Sequence, residues 1–359
     1  MLHLTNHSTG PILAGLCSFF ASLASKSVPF NRGVIMYGEI EMKIQSKLKI
    51  TVLYVLAITF TGCANLAGWT YKEFPKETAL DKSYIYDGKV IIIGAGASGL
   101  AAAKILESNN IDYQIIEATN RYGGRIKKNE TLADFPIDIG AEWIHNLPHS
   151  LNRLKGKKGD QLDEVLIPYH LESAYSWNGK EYEKVPTWIL STMFKNMPEY
   201  KFKNSTWYDY IDENFARYVK HKIKYNSPVT EINYKGSQVE VTINNGEVYK
   251  ADRVLVTVPI GVLKNNFINF IPSMNEEKIE AIESIGFLSG FKLAMKFNEK
   301  FYPDAIDVET DSGEKVYYDV AFKKDAQSNI LGLLSTGSSA EAYYQLGSDQ
   351  KIVSSVLQE

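Results

Sequence analysis

The stretch at residues 89–125, KVIIIGAGASGLAAAKILESNNIDYQIIEATNRYGGR, decides the fold. Its opening run, residues 90–93, is short, apolar and β-branched, the composition of a strand buried in a parallel sheet. Gly94, Gly96 and Gly99 follow at GxGxxG spacing. The first glycine permits a tight turn, the second lets a pyrophosphate approach the backbone, and the third lets helix pack on strand. Ala97 and Ser98 lie between the second and third, and an Ala-rich helix continues over residues 100–106. Its N-terminal N–H groups would face the phosphates. A second strand over residues 111–116 ends in Glu117, roughly twenty positions past the glycines, where a ribose hydroxyl is held. A βαβ unit without a ligand would leave three spaced glycines and a placed acid unexplained.

Residues 118–125, Ala118-Thr119-Asn120-Arg121-Tyr122-Gly123-Gly124-Arg125, sharpen this reading. With Glu117 they resemble the E-A-x-x-R-x-G-G-R stretch of the flavin-containing amine oxidases. The resemblance implies that Ala118, Arg121, Gly124 and Arg125 wrap the phosphates of FAD. Paired glycines allow close backbone approach, and arginines fork onto phosphate oxygens. A nicotinamide site has no need of this second loop. The implied fold class is α/β: an FAD-binding Rossmann-like domain of the glutathione-reductase type, with an interleaved α+β substrate domain.

Further segments carry the same resemblance. Gly140-Ala141-Glu142-Trp143-Ile144-His145 is similar to the G-A-x-W-I-H segment of the polyamine and spermine oxidase branch. There it passes beside the flavin, so Gly140, Ala141, Glu142 and Trp143 are expected at the cofactor and His145 at the substrate. A neutral imidazole accepts a hydrogen bond from an amine or orients it; the alternative is a histidine that only fills a polar pocket. Residues 225–232 include Val229, whose backbone would meet the adenine side of FAD. Residues 256–264 are similar to the family's crossover between domains. Lys292, after Gly290 on an expected strand, falls where the family has the lysine that holds a water against flavin N5. Lys296 shares its face by period two, and the bland alternative is that both lysines are solvated.

Composition narrows the function classes. The chain has 359 residues, 45% of them hydrophobic, and a net charge of -3, with no basic block that points to nucleic acid. Its two cysteines, Cys17 and Cys63, both precede the glycine motif. No cysteine metal cluster or covalent flavin link is therefore expected in the folded part, and FAD is expected to bind non-covalently. Pro148 between His145 and His149 argues against a shared helix face, so no metal is expected.

The expected organisation is discontinuous. Residues 1–41 read as an upstream extension, with residues 11–24 a second apolar run. Residues 42–63 hold Lys43, Lys47 and Lys49, an apolar run over 50–60, and Thr61-Gly62-Cys63. That order makes a secretory signal, and with Cys63 it resembles a bacterial lipoprotein signal. An exported protein tethered by lipid is expected; a cleaved signal or an anchor is the alternative. Residues 64–86 form the tether. Residues 87–147 and 220–285 are assigned to the FAD domain, and 148–219 with 286–359 to the substrate domain. Asn178-Gly179 between two short runs signals a type I′ hairpin. Residues 188–193 and 207–218 read as helices, 254–258 as a buried strand, 276–285 as an amphipathic helix, and 330–335 as a buried strand.

The family implies FAD-dependent oxidation of an amine, polyamine above others, with oxygen as acceptor. The family's G-E…G-A-x-x-S-G stretch has no match here. One alternative is therefore an inactive flavin-fold fragment, or half of a split enzyme completed by a second chain. Another is an FAD-dependent desaturase or porphyrinogen oxidase.

Overall fold

The computed structural model describes residues 79–145, 149–154, 166–196, 198–310 and 313–359. The expected signal, its Cys63 and the extension before it lie outside the described residues. Residues from 79 onward belong to one compact unit. Among the described residues no helix is long and apolar enough to cross a membrane.

The chain enters with β1 (Val90–Ile93), α1 (Ala97–Ser108) and β2 (Tyr113–Ile116). All four β1 residues are buried, as the β-branched run requires. Strand β3 (Ala174–Trp177) turns into β4 (Tyr182–Lys184) at the expected place, but through a four-residue loop over residues 178–181. In it Gly179 is at φ 95° and Asn178 is not at positive φ, so the turn is not the expected type I′. Helix α2 spans Thr187–Asn196. Helix α3 (Trp207–Ile211) starts at a capping box in which Thr206 and Asp209 satisfy each other's backbone N–H groups. A π-turn over Asp212–Ala216 and a last turn over Arg217–Val219 continue it.

Then come β5 (Ile223–Lys224), β6 (Val229–Asn233), β7 (Val239–Ile243), β8 (Val248–Ala251), β9 (Arg253–Val256), β10 (Asn269–Ile271) and α4 (Glu276–Ser284). The final segment supplies β11 (Gly290–Phe297), β12 (Ala305–Thr310), β13 (Gly313–Asp319), β14 (Asn329–Thr336), α5 (Gly337–Gln345) and α6 (Asp349–Val356).

Three principal sheets result. Strands β9-β1-β2-β5 form an all-parallel sheet. Strands β8-β7-β6 form the expected meander, with β10 added parallel to β6. The largest sheet runs β11-β14-β13-β12-β3-β4. Its residues alternate between two faces. Phe291, Leu293 and Met295 pack with Tyr343 and Val356 of the last two helices. Ala294, Val316, Tyr318, Ile330 and Leu334 face the opposite core with Ala174, Tyr169 and Phe194.

Two further expectations need correction. Residues 207–219 were assigned to the substrate domain, yet Tyr210, Phe215 and Val219 pack in one core with Val90, Leu100 and Tyr113. Their aromatic face closes over α1, so they belong with the parallel sheet. Strand β9 is not buried throughout: Leu255 is 41% exposed. It is an edge strand, and only its face toward the meander core is covered.

Candidate functional site

The glycine turn has the shape its sequence requires. Gly94 sits at φ 102°, and its N–H donates to Ile116 O at 2.8 Å. A Cβ on Gly99 would collide with the Gly94 carbonyl, whereas one on Gly96 would meet nothing within 4 Å. The open side of Gly96 is therefore room for a ligand. Gly96 caps α1 with no side-chain hydrogen bond, so Ala97, Ser98 and Gly99 present the unsatisfied N–H groups of a first helical turn.

The second loop is docked on the first. Gly123 N–H donates to Ala95 O at 2.8 Å, and Gly124, at φ 58°, lies against Gly96. Glu117 is 8% exposed. Its carboxylate accepts from Ala95 N–H at 2.7 Å, Thr119 N–H at 2.9 Å and the Thr119 hydroxyl at 2.7 Å. A carboxylate offers about four acceptor positions, so one remains for a ribose hydroxyl. Ala118 lies between Glu117 and Thr119 in this turn. Ser227 N–H donates to Glu117 O at 2.9 Å, which brings Val229, two residues on, to the same end of the cradle.

The two arginines differ. Arg121 donates to the carbonyls of Tyr122 at 3.0 Å, Ile126 at 3.1 Å and Gly124 at 2.5 Å. It braces the loop, a use the sequence did not reveal. Arg125 is exposed and lies over the Phe287 ring at 5.9 Å. Of the pair, Arg125 is the one that stays exposed.

A cluster of buried charges adjoins this cradle. Gly140 passes so close to Arg125 that a Cβ would strike the Arg125 carbonyl. Two residues beyond it, past Ala141, Glu142 is buried, and its carboxylate accepts from Lys201 at 2.5 Å, Lys292 at 2.5 Å and the Tyr318 hydroxyl at 2.7 Å. Lys292 also donates to the carbonyls of Asp138 at 2.9 Å and Gly140 at 3.1 Å. An ammonium has three hydrogens, so all three are directed at protein oxygens. The rings of Trp143, Tyr169 and Tyr318 surround the Lys201 ammonium at 5.3 to 5.8 Å.

Electrostatics follow from this packing. Burial opposes ionisation of Glu142, but Lys201 and Lys292 outweigh it and hold the carboxyl at about 2. Burial, then the charge of Glu142, pushes Asp138 well above the usual carboxylate range. Burial, then Lys201, lowers Lys324 to about 8. Burial and the neighbouring Glu142 raise Tyr318 well above an ordinary phenol.

His145 is tied to the segment that carries Lys201. The backbones of Ile144 and Tyr200 form an antiparallel bridge, which sets His145 Nδ1 2.8 Å from Glu199 Oε1. In a neutral imidazole, the tautomer that donates from Nδ1 to this carboxylate leaves Nε2 as an acceptor. The ring is half-exposed while Glu199 is buried.

Sequence reasoning missed Lys201, Tyr318 and Glu199. The one signal was alternation: Glu199 and Lys201 lie two apart around Tyr200, at the start of the strand Tyr200–Phe202, with opposite charges inside an aromatic run.

Comparisons with known proteins agree with this geometry. The family model described as "Flavin containing amine oxidoreductase" matches residues 97–205 and 190–359. The chain is similar to polyamine oxidase 4 of Oryza sativa subsp. japonica, 25% identical over 75% of this chain and 71% of the relative. It is similar to lysine-specific histone demethylase 1B of Mus musculus, 22% identical over 72% of this chain. The chain spans only 41% of that relative's length. A redesigned putrescine oxidase shares the fold with a TM-score of 0.57 at 14% identity, covering 74% of this chain and 79% of its own. The glycine cradle, the placed acid and the matched family together show that the chain belongs to the flavin containing amine oxidoreductases, oxidoreductase enzymes whose cofactor is FAD.

Proposed function

We propose that this protein oxidises amines, with a polyamine-like substrate and molecular oxygen as final acceptor. FAD, when bound, would supply the redox chemistry, acceptance of a hydride from the carbon beside the amine nitrogen and reoxidation by oxygen. The chain's own residues bind, orient and exclude water. The N–H groups of Ala97, Ser98 and Gly99 would meet the pyrophosphate, Glu117 would hold the ribose, and Arg125 would close on the phosphates. Both cysteines, Cys17 and Cys63, precede the glycine motif, which supports a non-covalently held cofactor.

Lys292, clamped between Glu142 and two carbonyls, is the fixed positive charge proposed for the flavin side of the site. Trp143 would form a wall. An amine must be neutral to release hydride, and His145 Nε2 is the acceptor that would take a hydrogen from its nitrogen. The resemblance of residues 140–145 to the polyamine oxidase branch supports the substrate class. The ammonium of Lys292, buried on Glu142 beside the segment that resembles the polyamine oxidase branch, is the observation that carries the reading.

The test is anaerobic reduction of the purified, FAD-loaded protein by spermine, monoamines, amino acids and porphyrinogens. Bleaching of the flavin by amines alone supports the proposal. Bleaching by porphyrinogens alone, or by none, overturns it.

We also propose export with lipidation at Cys63. The succession of lysines, an apolar run and Gly62-Cys63 over residues 42–63 supports this. Labelled palmitate should enter the wild type and not Cys63→Ser; equal labelling would defeat the idea.

A further inference from the structure

Glu142 carries one more cation than its charge requires. Its Oε2 accepts from Lys292 at 2.5 Å and from the Tyr318 hydroxyl at 2.7 Å. Its Oε1 accepts from Lys201 at 2.5 Å. Lys292 alone balances the carboxylate, so a neutral N–H or O–H donor would serve Oε1 equally well. The chain places a second ammonium there instead. The Lys201 side chain is only 2% exposed, a costly position for a charge. Apart from Glu142, its ammonium has the Val320 carbonyl at 3.4 Å and three aromatic rings. Two of those rings, Trp143 and Tyr318, also flank Lys292, at 5.4 and 5.8 Å.

The cluster therefore counts two positive charges against one negative. Asp138 is the other acid beside it. Burial, then the charge of Glu142, pushes Asp138 well above the usual carboxylate range, which works against its supplying a second negative charge. Of the two ammoniums, Lys292 is the one next to the cradle. It donates to the carbonyls of Asp138 and Gly140. That segment runs along the chain just past Arg125: Ile139 N–H donates to Lys127 O at 2.9 Å, and Asp138 pairs with Lys128. Lys201 comes from a separate strand, Tyr200–Phe202, and meets Lys292 through Glu142.

We infer that Lys201 is a positioning residue: it neutralises Glu142, so that the charge of Lys292 stands uncompensated toward a bound flavin. The inference rests on the FAD-dependent reading above and adds a residue to it. A hydride brings two electrons and one proton to the flavin ring, which gains one negative charge, and the amine carbon that gave it up is left as an iminium. An uncompensated cation close by favours the reduced ring. Without Lys201, Lys292 and Glu142 make a neutral pair, and that advantage is lost.

The experiment measures the two-electron potential of the FAD-loaded full chain by equilibration with a reference dye under a chemical reductant, so that no amine is needed. Lys201→Met should lower the equilibrium constant for reduction at least about tenfold, about 30 mV. Glu142→Gln, which leaves two cations without an anion, should raise it. Lys201→Met combined with Glu142→Gln retains the single charge of Lys292 and should return to within about threefold of the wild type. A merely structural role gives neither opposite signs nor a return. If Glu142→Gln alone does not hold FAD, the wild type, Lys201→Met and the double variant still decide, and Lys201→Gln repeats the charge removal with a polar side chain. An unchanged potential in both Lys201 variants, or a double variant as low as Lys201→Met, overturns the inference. Reduction of the flavin by amines together with unshifted Lys201 variants removes the inference and keeps the oxidase. The expected shifts in a chain that no amine reduces keep the inference and remove the oxidase.

Discussion

Lys292 Nζ lies 2.5 Å from Glu142 Oε2, and the side chains are 10% and 3% exposed. Glu142 also binds Lys201, so one carboxylate is shared by two buried ammoniums. Removing the carboxylate leaves both cations uncompensated. Removing Lys292 leaves Glu142 with Lys201 and Tyr318.

The two ends of this pair should therefore differ in stability. Glu142→Gln is expected to lower unfolding free energy by about 3–5 kcal/mol, the range for breaking a buried pair. Lys292→Met should cost less, since its methylene stem is retained and Glu142 keeps two donors. Urea denaturation of both variants checks the order. An equal loss would mean that Lys201 does not share the carboxylate.

Glu117→Ala should weaken FAD and the empty protein together. It removes three hydrogen bonds and strands the buried Ala95 N–H. Loss of about 1–3 kcal/mol of stability is expected without cofactor, and a weaker dissociation constant with it. Glu117→Gln, which still accepts from Ala95, should recover most of the stability but less of the binding, because the charge-assisted ribose contact is gone.

Glu199→Gln tests the histidine. A carboxamide can donate to Nδ1 and transfer the ring proton to Nε2, so the substrate-facing nitrogen stops accepting. Nitrogen NMR of His145 should report the change of tautomer. KM for amines should rise while FAD affinity stays as in the wild type.

Asp307 and Glu142 give stability opposite slopes with pH. The folded value of Asp307 is raised from 3.8 to about 7, so the folded form holds its proton more tightly than the unfolded one. Stability from this group is full below about 4 and falls as pH climbs toward about 7. Glu142 is lowered from 4.5 to about 2; its contribution is present above about 4.5 and fades as pH falls toward 2. Asp307→Asn should therefore stabilise the protein near pH 8 and do little near pH 4. Denaturation midpoints at the two pH values decide it, and a variant destabilised at both would refute the sign.

What was legible in the sequence is what local spacing controls. The turn at Gly94, the acid at Glu117, the hairpin at Gly179 and the helix Glu276–Ser284 each follow from a few neighbouring residues. The charge cluster does not. Glu142, Lys201, Lys292 and Tyr318 come from separate segments, and only the packed sheet brings them together. The pairing of Asp307 with Ser176 was hidden for the same reason, since a parallel ladder between distant strands makes them neighbours. The helix after Trp207 was recognised as a helix, but its own pattern could not say which core its aromatic face would choose. Arg121 was read as a phosphate ligand because its type fits one, and its three carbonyl partners depend on how the loop curls.

That curl has a kinetic meaning. Because Arg121 ties the carbonyls of Tyr122, Gly124 and Ile126, the loop is already shaped before any ligand arrives. Little backbone entropy is then surrendered on binding, and encounter with a cofactor leads to capture without a slow ordering step. Lysine at position 121 would offer one ammonium where the guanidinium reaches three carbonyls with two nitrogens. The loop would then fold around its ligand instead of waiting for it, and the association rate would fall more than the rate of escape would rise.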